Sequence, residues 1–124
     1  MTKFYEQVKE RLMRYARINT ESNPHSTSVP TTSCQHDLAS VIYEELQKIG
    51  ATNVYYDKDT CVVYGSLEAN VKTGRAIGFV THMDTAPDAS GKDVKPWVLE
   101  NYDGKDIVLM QKKTLLCHRL YFQI

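Results

Sequence analysis

The sequence predicts an α/β fold and the beginning of a three-layer domain, in which helices cover a sheet. Two N-terminal segments carry apolar residues at helical spacing, and two short strand candidates and an uninterrupted apolar run follow them. Helices that lead into a hairpin and a buried strand are typical of layered α/β domains. At 124 residues, of which 42% are hydrophobic, the chain can supply the core of one small domain.

Both helices are predicted from their apolar periodicity. The first carries a stripe that we expect to pack on the core, namely Phe4, Val8, Leu12 and Tyr15. The second is predicted to begin after Thr32, which has capping-box spacing to Gln35, and to end at Gly50, which readily adopts a left-handed conformation. The intervening residues 19–33 are rich in Ser, Thr, Asn and Pro and are predicted to form a loop. His36, in the first turn of the second helix, is predicted to be a neutral surface residue.

Three strands are predicted after the helices. Residues 53–56 and 61–67 are strand candidates, and the polar residues 57–60 between them have the composition of a hairpin turn. The apolar run from Ala76 to Thr81 is predicted to be a buried strand. A polar loop is expected to follow it.

An imidazole and a carboxylate two residues apart end this apolar run. Since strand positions i and i+2 point to the same side, His82 and Asp84 are expected to converge where the strand gives way to a loop. A neutral imidazole is a good zinc ligand, and a neighbouring carboxylate can fix its tautomer and raise its basicity. The pair therefore predicts a metal centre. It can be only part of one, because a catalytic zinc normally takes three ligands from protein.

The residues around this pair resemble one enzyme family. The stretch from Gly78 to Asp88, then Ser90-Gly91-Lys92 and residues 100–107, closely resembles peptidase T. The resemblance also includes residues 19–22 and 29–32, so it extends from the first helix to about Val108. Peptidase T enzymes are cytoplasmic tripeptide aminopeptidases among the dizinc exopeptidases.

The resemblance implies a fold, a reaction and a site. The chain would be the truncated N-terminal part of a three-layer zinc-exopeptidase catalytic domain. The intact domain would use two zinc ions and a glutamate base to remove the N-terminal residue from a tripeptide. His82 would be a ligand of one zinc, and Asp84 would be the catalytic-site carboxylate that orients it. The other ligands and the base would lie beyond this chain, so we expect the fragment alone to be inactive.

The last residues depart from the family pattern. Lys112-Lys113 permits an adenine run, and codons for residues 113–124 can be chosen that read, in a shifted frame, as Asn-Ile-Val-Met-Ser-Pro, like the family's continuation. We therefore expect residues 1–109 to be part of the catalytic domain and residues 110–124 to be an out-of-frame tail. His118 lies in this tail and is not predicted to be a ligand.

Composition excludes several other partners. Fifteen basic and fifteen acidic residues balance, so no long-range field favours nucleic acid or an anionic membrane. No segment has the pattern of a targeting peptide or membrane span, and we expect a cytoplasmic protein. The three cysteines lack the spacing of a zinc knuckle or redox motif, so Cys34 and Cys61 are expected to be reduced thiols.

Two alternative functions remain open. The fragment could come from a related dizinc carboxypeptidase or amide deacylase, which assays of tripeptides against acylated amino acids would distinguish. It could also be a non-catalytic binding module, because a fold does not fix a function. A specific, saturable partner of the isolated fragment would favour the module.

Overall fold

A computed structural model of the chain describes residues 3–72, 74–110 and 115–117. These residues form two helices and four short strands: α1 (Lys3–Tyr15), α2 (Gln35–Lys48), β1 (Thr52–Asp57), β2 (Val62–Ser66), β3 (Ile107–Met110) and β4 (Leu115–Cys117). The strands pair antiparallel in two separate sheets, β1 with β2 and β3 with β4. The predicted α/β class is confirmed as a small unit of two helices and short antiparallel sheets. Neither described helix is long and apolar enough to cross a membrane.

Helix α1 forms as predicted, but its apolar stripe is not buried. Phe4 is 73% exposed and Leu12 is 66% exposed, and no residue of α1 is buried. The helix meets α2 through polar side chains instead, since Arg11 and Tyr15 both donate to the Glu45 carboxylate. The expected packing of the stripe on a core is therefore wrong for the described residues.

Helix α2 begins without the predicted capping box. Cys34, which precedes the helix, makes no side-chain capping bond. The Thr32 hydroxyl instead donates to the Glu21 carbonyl at 2.6 Å, and it accepts from the Gln35 side-chain amide at 3.2 Å. Thr32 and Gln35 are thus in contact, but a contact with a distant segment replaces the cap. The predicted end is confirmed, because Gly50 adopts a left-handed φ of 84°.

The predicted hairpin of β1 and β2 is confirmed and packs against α2. Its turn is held by the Asp57 carboxylate, which accepts from the Asp59 amide at 3.0 Å and the Thr60 hydroxyl at 2.7 Å. The buried apolar residues among those that the structure describes are few: Leu38, Ala39 and Cys61.

Residues 76–81 do not form the predicted buried strand. Phe79 is 93% exposed and Val80 is 100% exposed, and no strand includes this segment. A strand needs a neighbour to accept and donate its backbone hydrogen bonds. None of the described residues forms a ladder with this run, so its apolar side chains remain in solvent.

The predicted boundary between residues 109 and 110 falls inside β3. Residues 107–110 pair with residues 115–117 to form the second sheet. The rest of the predicted tail, residues 111–114 and 118–124 with His118, lies outside the described residues. The out-of-frame origin of residues 110–124 therefore stays a prediction.

Candidate metal centre

The structure brings His82 and Asp84 together. Imidazole Nδ1 lies 3.1 Å from Asp84 Oδ1 and 3.0 Å from the Asp84 carbonyl oxygen. The expected convergence occurs without the predicted strand, because a contact over two residues needs only the local backbone. When Nδ1 carries the proton and donates it to these oxygens, Nε2 keeps its lone pair. The pair can therefore present a metal-binding nitrogen.

The residue after Asp84 is anchored to a distant loop. The Thr85 amide donates to the Thr20 carbonyl at 3.1 Å, and the Ser22 amide donates to the Thr85 carbonyl at 2.9 Å. These two bonds form an isolated parallel bridge between Glu21 and Thr85. Thr20 is only 2% exposed, so one side of this bridge is fixed in a buried position. The bridge holds the backbone next to the imidazole and carboxylate.

Open space borders the pair on two sides. A cleft of about 240 Å³ lies between α2, β2 and the pair, and its lining consists of Gln35, Ile42, residues 61–63 and residues 81–84. A second cleft of about 410 Å³ lies between Asp84, Gln35, Thr60 and the loop of residues 22–31. The His82 side chain is 83% exposed and the Asp84 side chain is 40% exposed. The imidazole is therefore accessible to a ligand.

The described residues supply one part of a metal site. Across residues 3–72, 74–110 and 115–117, no three His, Cys, Asp or Glu residues come close enough together to hold a metal ion. Of the other residues considered from the sequence, Cys61 is buried and His36 is engaged with the Tyr56 hydroxyl through Nδ1 at 2.5 Å. His82 with Asp84 is thus the candidate ligand unit.

Glu21 was not predicted as a site residue. Its carboxylate accepts a hydrogen bond from the Gly91 amide at 3.0 Å, across 70 positions of sequence. Its own amide donates to Asn19 Oδ1 at 3.2 Å. No local sequence pattern could have indicated the contact between Glu21 and Gly91, since a backbone amide in a loop gives no sequence signal.

Comparison with known sequences finds relatives for nearly the whole chain. No family model matches. Curated proteins named peptidase T are similar: that of Alkaliphilus oremlandii is 46% identical over 110 residues, which are 86% of this chain and 27% of that protein. That of Geobacillus kaustophilus is 43% identical over 112 residues, with shares of 90% and 27%. That of Fusobacterium nucleatum is 38% identical over 116 residues, with shares of 93% and 28%. The chain spans little more than a quarter of the length of these relatives.

Proposed function

The chain resembles the N-terminal part of peptidase T, as the sequence predicted, and from this premise we propose that it is part of a peptidase catalytic domain. The intact domain would be a zinc-dependent tripeptide aminopeptidase with a three-layer α/β fold. The observation that carries the proposal is the contact between His82 Nδ1 and the Asp84 carboxylate at 3.1 Å, in a segment where the sequence also resembles the family.

In this proposal the two residues have different roles. His82 binds one zinc ion through Nε2. Asp84 accepts a hydrogen bond from Nδ1–H, which fixes the ring in the tautomer that leaves the Nε2 lone pair free and makes that nitrogen a stronger electron donor to the metal. The bound metal would supply a water of lowered pKa and would stabilise the negative charge that develops when the first peptide bond of the substrate is attacked.

The residues present fit such a metal, but they fill only one of its protein positions. A catalytic zinc normally takes three protein ligands, and here one imidazole is presented. We propose that the second zinc, the remaining ligands and the general base belong to the part of the relatives that this chain does not match. The 124-residue chain alone would then not hydrolyse tripeptides.

The substrate, location and domain limits follow from the same resemblance. We propose a short peptide with a free amino end as the substrate and the cytoplasm as the location. Balanced charge, with fifteen basic and fifteen acidic residues, gives no support for a nucleic acid or membrane partner.

We also propose that residues 1–109 belong to the catalytic domain and that residues 110–124 are an out-of-frame tail. Sequencing the gene across Lys112 tests the tail, and the absence of a peptidase T-like frame downstream would contradict it.

A chimera tests the activity. Residues 1–109 are joined to the remainder of the Geobacillus kaustophilus peptidase T, and tripeptide hydrolysis and zinc content are measured beside the 124-residue chain. We expect zinc-dependent hydrolysis by the chimera and none by the short chain. Acylated amino acids, as a second substrate, test for an amide deacylase.

Substitutions in the chimera test the two residues. His82→Ala should remove one zinc and abolish turnover, and Asp84→Asn should reduce turnover by about 10- to 100-fold. His25→Ala is the matched control, because His25 lies in an exposed loop and should leave both values unchanged. Full zinc content and turnover in His82→Ala would contradict the proposed role.

A further inference from the structure

Glu21 joins its own segment to two others, the loop of residues 85–91 and Thr32. Its carboxylate accepts from the Gly91 amide at 3.0 Å, and its carbonyl accepts from the Thr32 hydroxyl at 2.6 Å. Its amide donates to Asn19 Oδ1, and its backbone lies opposite Thr85 in the parallel bridge. Glu21 is half-buried at this junction. We call the contact between the Glu21 carboxylate and the Gly91 amide the Glu21 latch.

Gly91 lies close to the side chains of the segment that contains Glu21. A Cβ built at this position would lie 2.6 Å from Asn19 Oδ1 and 3.3 Å from Thr85 Oγ1. The first distance is shorter than real Cβ atoms show, so the Asn19 side chain would have to move. A side chain at residue 91 would therefore displace Asn19 Oδ1, which accepts a hydrogen bond from the Glu21 amide.

The Glu21 latch and the bridge hold the loop at its two ends. Thr85 is fixed by backbone hydrogen bonds to Thr20 and Ser22, and Gly91 is fixed by the Glu21 carboxylate. Asp84 directly precedes the first of these anchors. The His82 side chain is 83% exposed and the Asp84 residue is half-buried, so packing does little to hold the imidazole, and the position of the Asp84 oxygens depends on the backbone of this loop.

We infer that Glu21 is a positioning residue for the His82–Asp84 pair. This inference rests on the proposed function. With Glu21 in place, the loop keeps the Asp84 oxygens at imidazole Nδ1, so the neutral ring carries its proton on Nδ1 and leaves Nε2 available to a metal. Without the carboxylate, residues 85–91 lose one anchor, Asp84 moves relative to the ring, and the proton returns to Nε2, which then cannot bind a metal.

The tautomer of His82 in the 124-residue chain tests this inference. Long-range ¹H–¹⁵N NMR at about pH 8, where an ordinary imidazole is neutral, identifies which ring nitrogen carries the proton. The His82 signals are assigned by their loss in His82→Gln. The comparison uses the wild-type chain, Glu21→Ala and Glu21→Gln, in which the amide oxygen still accepts from Gly91. Glu44→Ala is the matched control, since Glu44 lies on the exposed face of α2 and pairs with Lys48.

We expect mostly the Nδ1–H form in the wild-type chain, in Glu21→Gln and in Glu44→Ala, and mostly the Nε2–H form in Glu21→Ala. Gly91→Ala disturbs the same contact from the opposite side and should also shift His82 towards Nε2–H. Amide spectra of α2 and the β1–β2 hairpin, unchanged among the variants, exclude general unfolding as the cause.

Two outcomes overturn the inference. In one, Glu21→Ala keeps the Nδ1–H form; in the other, the wild-type chain already has the Nε2–H form. The proposed function is decided separately, by the zinc content of the chimera and its His82→Ala variant. Loss of zinc in that variant together with an unchanged tautomer in Glu21→Ala would refute the positioning role and leave the peptidase proposal standing.

Discussion

The Tyr15 hydroxyl of α1 donates a hydrogen bond of 2.5 Å to the Glu45 carboxylate of α2. The same carboxylate accepts from Arg11 Nε at 3.1 Å and forms an ion pair with Arg14. The Glu45 side chain is only 14% exposed, so these bonds are largely sheltered from water. One carboxylate therefore links the two helices.

We expect Glu45→Ala to destabilise the chain by about 2 kcal/mol, because hydrogen bonds to a charged acceptor contribute about 1.5–3 kcal/mol. Glu45→Gln should have a smaller effect, since its amide oxygen still accepts from Tyr15. Urea unfolding measures both. The control is Glu44→Ala, whose exposed ion pair with Lys48 should contribute less than about 1 kcal/mol. Equal losses at positions 44 and 45 would contradict the linking role of Glu45.

Stability should fall at alkaline pH because of Cys61. Burial raises the pKa of this thiol above its usual 9.0, although a hydrogen bond with Tyr56 lowers it in part. Burial likewise raises the pKa of the Tyr56 hydroxyl above 10.0. The folded chain favours both neutral forms, so this stabilisation is complete below pH 9.0 and is lost as pH rises through the raised pKa of Cys61.

Thermal unfolding at neutral and alkaline pH tests this expectation. Cys61→Ala should reduce the difference in Tm between the two conditions, even if it lowers both values by removing buried apolar contact. Cys34→Ala is the matched control and should keep the wild-type difference, because it leaves Cys61 in place. The same alkaline loss in wild type and Cys61→Ala would show that another group is responsible.

The end of α2 should be sensitive to its glycine. Gly50 has a φ of 84°, which costs a residue with a Cβ about 1–2 kcal/mol. We expect Gly50→Ala to lower the free energy of unfolding by about 1 kcal/mol and Gly50→Asn to lower it less, since Asn tolerates the left-handed region. The control is Gly74→Ala, where an added Cβ meets nothing within 4 Å. Chemical denaturation provides the measurement, and equal stability of Gly50→Ala and wild type would refute the prediction.

The exposed apolar run should promote self-association. Ile77, Phe79 and Val80 are all more than four-fifths exposed, and uncharged apolar segments with unpaired backbone favour strand pairing between chains. Val80→Lys should reduce association in sedimentation velocity while changing the free energy of unfolding by less than about 0.5 kcal/mol. Asn70→Lys adds the same charge at an exposed polar position and should leave association as in wild type. A monomeric wild-type chain at high concentration would contradict the prediction.

Elements with local signals were predicted correctly. The α2 helix ends at Lys48, just before the left-handed Gly50. The hairpin turn is closed by hydrogen bonds from Asp59 and Thr60 to the Asp57 carboxylate, all within a few residues of each other. The strand at residues 76–81 was not, because a strand forms only beside another strand. The apolar stripe of α1 failed for a related reason. Its spacing predicts a helix, but burial requires a second surface.

In the candidate site, too, the local contact was predicted from the sequence and the long-range contact was not. The approach of His82 to Asp84 follows from their spacing of two residues and was expected. The contact of Glu21 with Gly91 spans 70 positions and leaves no local pattern. The capping box predicted at Thr32 was wrong for the same reason. The Thr32 hydroxyl donates to the Glu21 carbonyl, 11 positions away, and does not cap the start of α2.

The backbone bridge at Thr85 is expected to form after the local elements of the chain. Ser22 and Thr85 are 63 positions apart, so joining them closes a long loop and loses chain entropy that the helix and hairpin do not lose. We expect α2 and the β1–β2 hairpin to form first and this long-range closure to form last. In hydrogen exchange, the Thr85 amide should therefore exchange with solvent sooner than the amides of the hairpin.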